Sequence, residues 1–277
     1  MKAKSIASSF FMHFILSIGA LLSLFPFYWL VITSTVTSSD VMRFPPVFIP
    51  GDQFFINVRN LLTAVNFGSS LLNSLFVSGT ITLSVVLLAS LAGFLFAKFS
   101  FPFKKTLFAV VLLTMMLPSQ MNLVPLFMIM NRLGWASTFK ALILPNLVTA
   151  FGIFWIRQFA QGAIHDDLLN AGRIDGCGTL RLFTRIGFPV LMPGLSFLAV
   201  YTFMNTWNDY LWPLVILNQQ SKHTVQVALA QLNSVYYASD YGMVMAGTLL
   251  ATLPLLLVFL AVGGQLMNNI TAGAIKG

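Results

Sequence analysis

The chain of 277 residues contains no glutamate, and aspartate supplies all 7 of its acidic side chains. Charged residues make up only 8% of it, whereas soluble domains carry roughly 25%. Hydrophobic residues make up 57%, including 27 phenylalanines. One soluble core cannot bury this much apolar surface under so little polar cover. The composition therefore excludes an ordinary soluble domain and indicates an integral membrane protein.

Cysteine and histidine are scarce as well. The single cysteine, Cys177, excludes an internal disulfide. His13, His165 and His223 lie far apart and show no metal-ligand spacing, so we predict no metal site and no catalytic residue. The formal charge of +8 comes from lysines and arginines that lie between apolar runs rather than on one soluble face, so no nucleic-acid partner is expected.

Six apolar runs have the length, or nearly the length, of a membrane-spanning helix, which takes about 20 residues. They are Phe10–Ile32, Leu71–Ala97, Leu107–Met130, Ala141–Ile156, Phe188–Phe203 with a broken continuation at Leu211–Leu217, and Val244–Leu266. Pro118, Gln120, Asn122 and Pro125 interrupt the third run. The first run is longer than the roughly 7–15 apolar residues of a signal peptide, so we expect a retained span.

The basic residues of the connections predict the orientation. With six spans both termini lie on one side, and that side carries ten lysines and arginines against five on the other. The excess predicts that both termini and the loop of about 30 residues between the fourth and fifth spans are cytoplasmic. The longer loops at 33–70 and 218–242 then face outward.

Charge is concentrated in that cytoplasmic loop. Asp166, Asp167 and Asp175 lie there with Arg173, and Asp175-Gly176 is a turn signal between two segments of helical composition. Paired aspartates suit a helix N-terminus. The apolar residues of these segments fit either a helix lying on lipid headgroups or a docking helix for another protein, and the residues alone leave both open.

Several stretches resemble motifs of one family. "NAGRIDGCGTLRLFTRIGFPVLMPG" (170–194) resembles the EAA loop of ABC-importer permeases, roughly E-A-A-x-x-D-G with a following I-x-x-P-x-x-x-P. "FMNTWNDYLWPLVIL" (203–217) is similar to the W-N-x-(F/Y)-x-x-P-L pattern of carbohydrate-type permeases. "NITAGAIKG" (269–277) is similar to the tail of the inner-membrane subunit family of the maltose transporter. "LLNSLFVSG" (71–79) and "AKFSFPFKK" (97–105) also match, in the family's order.

The resemblance implies an all-α polytopic fold of six transmembrane helices, the type I ABC-importer permease fold, in the bacterial inner membrane. It implies a first span and outer loop at 1–70, a core at 71–266 with a coupling loop at 157–187, and a cytoplasmic tail at 267–277. The implied partners are a second homologous permease, two ATPase subunits, an extracytoplasmic solute-binding protein and membrane lipids. The chain itself would bind no cofactor, because ATP and Mg²⁺ belong on the ATPase and no G-x-x-x-x-G-K-(S/T) motif is present.

The implied ATPase-coupling residues are Asp166, Asp167, Asn170, Ala171, Gly172, Asp175 and Gly176. Asn170 departs from the family's usual glutamate and can form hydrogen bonds but no salt bridge, so Asp166 or Asp167 is expected to take over the ionic contact. Gly172 replaces an alanine, and its lower helix propensity predicts an earlier helix end. Thr271, Gly273 and Lys276 match the tail that contacts the ATPase in the family.

Polar residues at membrane depth are candidates for the substrate pathway. Asn205, Trp207, Asn208, Asp209 and Tyr210 interrupt the fifth span, and broken helices occur where they line a cavity. Sugars are bound by aromatic faces with amide and carboxylate groups, which this cluster offers. The alternative is that Trp207 and Trp212 are interfacial aromatic residues and Asp209 caps a helix. Gln120 and Asn122 are a second candidate, with a simple helix kink as the alternative.

Two other classes stay open at this point. A secondary transporter usually has internal repeats and buried acidic residues, but no repeat is evident. A lipid-modifying membrane enzyme needs a constellation of acidic, histidine or cysteine side chains, and the only acidic cluster is explained by the docking helix. Which substrate is carried, from a monosaccharide to an oligosaccharide or a uronate, is not specified by the sequence.

Removal of Gly273–Gly277 tests the tail. We expect membrane insertion and subunit assembly to be intact, and ATP hydrolysis stimulated by the binding protein to fall several-fold, since the small residues suit a narrow crevice between ATPase subunits. The measurement is the stimulated ATPase activity of the reconstituted complex with and without the five residues. Unchanged activity would make the tail a dispensable terminus.

Overall fold

A computed structural model describes the backbone of residues 2–232 and 240–274, with side chains described except at 2–10, 119 and 263–274. Every regular element of these residues is helical. The α-helices are α1 (Lys2–Ser34), α2 (Ser38–Val41), α3 (Phe54–Ala64), α4 (Phe67–Lys98), α5 (Lys104–Met116), α6 (Leu123–Arg132), α7 (Phe139–Ile143), α8 (Ala150–Ala163), α9 (Asp166–Ile174), α10 (Thr179–Leu182), α11 (Phe188–Trp207), α12 (Leu211–Ile216), α13 (Val225–Leu232) and α14 (Tyr241–Ala274). Short 3₁₀ turns lie at Ser119–Asn122, Leu144–Asn146 and Gln220–Lys222, and a π-helical turn at Phe183–Gly187 joins α10 to α11.

Within the described residues, five helical stretches are long and apolar enough to cross a membrane. They are Phe11–Ser34, Phe67–Lys98, Phe139–Ala163, Thr179–Trp207 and Tyr241–Val262. A sixth span is formed if α5 and α6, which meet at 90°, are counted as one bent pair. The all-α fold is therefore confirmed, and each predicted run corresponds to one of these stretches.

The third run is not one straight span. The helix stops before Pro118, which removes a backbone donor and clashes with the preceding turn. Gln120 and Asn122 lie in the 3₁₀ turn between α5 and α6. Pro125 lies in the first turn of α6, where a proline is tolerated, so it does not contribute to the break.

The outer surfaces of the spans are apolar. On α1 Phe11 is 65% exposed and Leu21 is 69% exposed, and on α14 Leu260 is 74% exposed. Such side chains would be costly in water, but lipid tails are as apolar as they are. The exposed surface is therefore that of a protein whose solvent is the bilayer.

The described structure divides into two compact units. Unit 1 comprises Met1–Phe67 and Ala228–Leu253, and unit 2 comprises Gly68–Val227 and Pro254–Gly277. The last helix, α14, extends to Ala274, so that the backbone of the predicted tail residues Thr271 and Gly273 is helical; Lys276 lies outside the described residues.

Hydrogen bonds of buried polar groups hold unit 1 together. The Asn57 amide donates to the carbonyls of Ser34 and Val36, both at 3.0 Å. The Ser38 hydroxyl donates to the Asp240 carboxylate at 2.6 Å, and the same carboxylate accepts a backbone N–H from the first turn of α14. The Asn57 amide thereby satisfies the carbonyl of Ser34, which α1 leaves open at its end.

In unit 2, α4, α8 and α11 approach closely at glycines. A Cβ atom on Gly93 of α4 would lie 2.7 Å from Ile156 Cβ of α8, and one on Gly194 of α11 would lie 2.8 Å from the Phe159 ring of α8. The Trp155 indole donates to the Gly194 carbonyl at 2.9 Å. Small residues that let a neighbouring helix approach closely are typical of helix packing in lipid.

Alanine at Gly93 tests this packing. Gly93→Ala is expected to destabilise the protein by about 1–3 kcal/mol, because its Cβ meets a branched carbon that the α8 backbone fixes in place. Gly79→Ala is the matched control on the same helix, where nothing lies within 4 Å. Thermal unfolding of the purified proteins in detergent, followed by circular dichroism, measures both. Equal midpoints for the two variants would contradict the packing described here.

Candidate functional site

The coupling loop (residues 157–187) contains helix α9, which begins with two carboxylates. Asp166 and Asp167 occupy its first turn, where the helix dipole favours negative charge, as the sequence predicts. Asp166 is tied to α4, since Lys98 Nζ donates to its Oδ1 at 2.9 Å. The Lys98 side chain is 9% exposed and that of Asp166 is 78% exposed.

The hydrogen bond and the positive charge of Lys98 lower the pKa of Asp166 below its usual 3.8. A carboxylate with a lowered pKa stabilises the fold above its usual pKa and loses that contribution as the pH falls through the lowered value. The link from α9 to α4 therefore stays intact at neutral and mildly acidic pH. Asp166 already has a partner inside its own chain, which leaves Asp167 as the exposed acidic group at the start of α9.

Asn170 also has a partner within α9. Its Oδ1 accepts a hydrogen bond from Arg173 Nη1 at 3.0 Å. The Arg173 guanidinium lies 5.6 Å from the centre of the Phe99 ring. Beside these residues is a groove of about 690 Å³ whose lining includes Lys98 and Lys104. Three cations and one aspartate thus line this groove among the described residues, so that the surface next to α9 is basic.

The end of α9 is a Schellman turn. The Cys177 N–H donates to the Gly172 carbonyl at 2.9 Å, and the Gly176 N–H donates to the Arg173 carbonyl at 3.0 Å. Gly176 has φ = +79°, which is in the left-handed region that glycine enters without steric cost. The turn predicted from Asp175-Gly176 is confirmed.

The predicted early end of α9 at Gly172 is wrong, because α9 continues to Ile174. Gly172 is buried, and a Cβ there would lie 2.7 Å from Leu182 and 2.9 Å from Ile186. Packing against these side chains offsets the low helix propensity of glycine. Its function is to let α9 lie close to α10 and to the turn that leads into α11.

Three large apolar side chains of the coupling loop are exposed. Ile174 is 87% exposed, Leu180 is 70% exposed and Leu168 is 46% exposed. Exposed apolar side chains next to charged groups are typical of a protein interaction surface. The same residues also fit contact with lipid headgroups. The geometry alone is therefore compatible with both alternatives, a helix lying on lipid and a docking helix for another protein.

A second polar region lies in unit 2, where three spans are interrupted. The third span breaks at 117–122, the fourth at 144–149 and the fifth at 208–210. The break in the fourth span was not predicted from the sequence. Its signal is the Pro145-Asn146 pair inside an apolar run, because such a pair favours a turn. Unwound backbone at membrane depth is tolerated where it is buried in protein or lines a cavity.

All three breaks line the first cavity, and the breaks of the fourth and fifth spans line two further cavities. The first cavity, about 260 Å³, is lined by Gln120, Asn122, Leu123, Leu126, Asn146, Asp209, Leu211 and Trp212. The second cavity, about 350 Å³, is lined by Ile81, Asn146, Thr149, Phe151, Tyr201, Thr202, Asn205, Thr206 and Asp209. A narrow cavity of about 10 Å³ is lined by Ser74, Val77, Ser78, Ile81, Leu142, Asn146, Thr206, Asp209, Trp212, Pro213 and Thr224. Asn146 and Asp209 line all three.

The structure places some of the predicted pathway residues at the cavities and others away from them. Asp209 lines all three cavities, and Asn205 lines the second. Asn208 and Tyr210 are exposed and line none of the three, and Trp207 is only 1% exposed, stacked on a phenylalanine one turn earlier. Of the pathway cluster, Asn205 and Asp209 therefore face space that a solute can occupy, and the role of the others stays a prediction.

Asp209 also has the capping role that the sequence left as an alternative. Its Oδ1 accepts the Trp212 N–H at 3.4 Å, at the start of α12. Gln120 and Asn122, the second candidate pair, both line the first cavity. Among the described residues no three histidine, cysteine or aspartate side chains lie close enough to bind a metal ion.

Comparison with known proteins assigns the family. Residues 86–267 match the family described as "Binding-protein-dependent transport system inner membrane component". The chain belongs to this family and is an ABC-importer permease located in the membrane. This assignment makes the coupling loop and the spans that follow it parts of one transport subunit.

The relatives match almost end to end. The lactose transport system permease protein LacG of Rhizobium radiobacter is 37% identical, covering 95% of this chain and 94% of the relative. The arabinooligosaccharides transport system permease protein AraQ of Halalkalibacterium halodurans is 31% identical over 96% and 97% of the two chains. The sn-glycerol-3-phosphate transport system permease protein UgpE of Yersinia pestis is 32% identical over 90% and 91%.

A solved structure shares the fold. A chain of a bacterial ABC transporter involved in the import of the acidic polysaccharide alginate superposes with a TM-score of 0.80. The match covers 94% of this chain and 97% of that chain at 20% sequence identity. At this identity the likeness concerns the fold, and it supports the all-α architecture described above.

A valine at Gly176 tests the turn that ends α9. Gly176→Val is expected to uncouple ATP hydrolysis from transport with little loss of folded protein, because a β-branched residue is strained at φ = +79° by about 1–3 kcal/mol. Gly178→Val is the control, since Gly178 has an extended backbone and open space around it. The measurement is uptake per ATP hydrolysed in proteoliposomes. A wild-type ratio in Gly176→Val would show that the turn is not needed for coupling.

Proposed function

We propose that this chain is one of two homologous permease subunits that together form the pathway for a sugar or oligosaccharide. The relatives named for lactose and for arabinooligosaccharides support a carbohydrate substrate. The cavities of unit 2 support it as well, because amide, hydroxyl and aromatic side chains line them together. Sites for small polar molecules commonly combine apolar walls with a few placed polar groups.

ATP hydrolysis takes place on two associated ATPase subunits, which bind ATP and Mg²⁺. The observation that supports this coupling is that the loop exposes Leu168, Ile174 and Leu180 and also borders a basic groove. A soluble ATPase that docks there covers apolar surface and pairs its own acidic groups with Arg173. Asp167, Ala171 and Asp175 lie exposed on the same helix and its turn.

The docked helix transmits movement to the spans through two contacts. The Lys98–Asp166 ion pair joins the start of α9 to the end of α4. Close packing at Gly172 joins the end of α9 to α10 and the π-helical turn that continues into α11. A push on α9 by the closing ATPases therefore moves α4 and α11 together, and α11 leads directly to the break at 208–210.

On the opposite side an extracytoplasmic solute-binding protein delivers the substrate to the loop at 218–242. Residues 233–239 of this loop, including Tyr236 and Tyr237, lie outside the described residues. Both termini then lie in the cytoplasm of a bacterial cell whose inner membrane holds the complex, with lipids covering the apolar faces of the spans. The tail residues Thr271, Gly273 and Lys276 reach the ATPases from that side.

Reconstitution tests this function. The chain, its partner permease, the ATPase and the binding protein, placed together in proteoliposomes with internal ATP, are expected to accumulate a radiolabelled saccharide. The same vesicles without the ATPase, or without ATP, are the controls. Accumulation that persists without ATPase and follows an ion gradient would instead identify a secondary transporter.

A serine at Ile174 tests the docking face. Ile174→Ser is expected to weaken ATPase binding by about 2 kcal/mol, or roughly 30-fold, because the exposed isoleucine loses its apolar contact with the partner. The measurement is ATPase retention on the membrane-extracted permease pair during a dilution series. Leu62→Ser, at a side chain 56% exposed on α3, is the matched control. Equal retention in both variants would show that α9 lies on lipid rather than on the ATPase.

A further inference from the structure

Asn146 and Asp209 form the junction of the three cavities in unit 2. Each belongs to a different helix break, Asn146 to the one between α7 and α8 and Asp209 to the one between α11 and α12. Both side chains line the first, the second and the narrow cavity. These two side chains are therefore common to the walls of all three cavities.

The narrow cavity carries unpaired hydroxyl groups. Ser78 is 1% exposed and Thr224 is 5% exposed, and neither hydroxyl oxygen has a hydrogen-bond partner among the described residues. Buried polar atoms without partners are rare and call for a physical explanation. The volume of about 10 Å³ has room for about one hydroxyl group or water molecule. A hydroxyl group or a water molecule in this cavity would supply the kind of partner that these oxygens lack among the described residues.

The charge of the junction selects against anions. Asp209 is the one carboxylate among the described residues that line the three cavities, and none of those residues is lysine, arginine or histidine. A sugar hydroxyl can donate to Asp209 and exchange hydrogen bonds with Asn146. A sugar carboxylate or phosphate would lie beside a like charge without a cation to pair with, which is costly away from water.

The size and the walls of the larger cavities fit one sugar unit. Their volumes, about 260 and 350 Å³, lie near the lower end of small-molecule sites, which run from roughly 300 to 1,000 Å³. Trp212 borders the first cavity, and Phe151 and Tyr201, whose ring centres are 4.5 Å apart, border the second. Aromatic rings supply apolar contact for the C–H face of a sugar while the polar groups meet its hydroxyls.

We infer that Asn146 and Asp209, with the Ser78 and Thr224 hydroxyls, form a hydroxyl-binding subsite of this subunit that accepts a neutral sugar unit and excludes acidic or phosphorylated sugars. The inference rests on the proposed function, since it names the class of carbohydrate that passes.

Thiol labelling tests the charge of the junction independently of transport. Cys177→Ser removes the single native cysteine, and Asn205→Cys then places one thiol on the second cavity of the assembled complex. A cationic methanethiosulfonate reagent is expected to react faster than an anionic one, relative to the same pair of reagents on Asn131→Cys, by roughly tenfold. Asp209→Asn, which preserves the helix cap, is expected to remove this preference.

The labelling experiment has two outcomes against the proposal. A ratio of rates equal to that of the Asn131→Cys control would mean that the junction carries no effective negative charge. A preference that survives Asp209→Asn would assign the charge to another group. Because neither outcome depends on ATP or on uptake, the labelling result stands even if the substrate is not a carbohydrate.

Uptake measurements test the selectivity. Lactose and arabinotriose serve as neutral probes, and sn-glycerol-3-phosphate and galacturonate as acidic ones, in proteoliposomes that hold the full complex. We expect a neutral probe to be carried best, and Asn146→Ala and Asp209→Asn each to raise its KM roughly fivefold or more through lost hydrogen bonds. Asn131 lies further along α6 and lines none of the three cavities, so Asn131→Ala is the control and is expected to leave the KM unchanged.

Two results would overturn the proposal: preferred uptake of an acidic probe by the unsubstituted complex, or an unchanged KM in both junction variants. Uptake of none of the four probes would count against the proposed carbohydrate function instead. In that case the ratio of labelling rates still shows whether the junction carries negative charge. The experiments therefore distinguish a wrong proposal for the function from a wrong proposal for the subsite.

Discussion

The hydrocarbon of a bilayer offers no hydrogen bond to a backbone N–H or C=O group, and the architecture of this chain follows from that constraint. A helix in lipid can be interrupted only where protein or a polar cavity satisfies the freed groups. Here the interruptions of the third, fourth and fifth spans all line the first cavity of unit 2, and those of the fourth and fifth also line the second. The polar side chains that accompany the breaks therefore gather in one place, although they are about 60 residues apart from Asn146 to Asp209 and further from Gln120.

Close packing joins the helices around this polar region to the coupling loop. Glycines at Gly93 and Gly194 let α4, α8 and α11 approach at van der Waals distance, so that the three helices cannot slide past one another without clashes. The Lys98–Asp166 ion pair and the contact at Gly172 extend the same body to α9. Interiors packed in this way move as units rather than by gradual deformation.

Much of the fold was predictable because the signals are local. Long apolar runs specify the spans, Pro118 specifies the bend of the third, and Asp175-Gly176 specifies the turn after α9. The break at 208–210 follows from its run of polar residues. These features depend on backbone chemistry within a few residues, which a sequence displays directly.

The features that could not be predicted from the sequence depend on contacts between distant segments. The helical conformation of Gly172 results from its burial against Leu182 and Ile186, and propensity alone gave the opposite expectation. The burial of Trp207 depends on which face of α11 meets the protein interior. Asn146 was missed because its importance comes from lying beside Asp209, and no period or motif in the sequence joins the two.

The Schellman turn at the end of α9 sets the kind of bond that a partner can form there. The carbonyls of Ala171, Gly172 and Arg173 already accept hydrogen bonds from Asp175, Cys177 and Gly176, so the helix end offers few main-chain acceptors to another protein. Binding of a partner at this helix end then depends mainly on side chains. When the partner leaves, almost no backbone group has to be hydrated again. A partner that docks on this helix end therefore leaves the backbone hydrogen bonds of α9 unchanged.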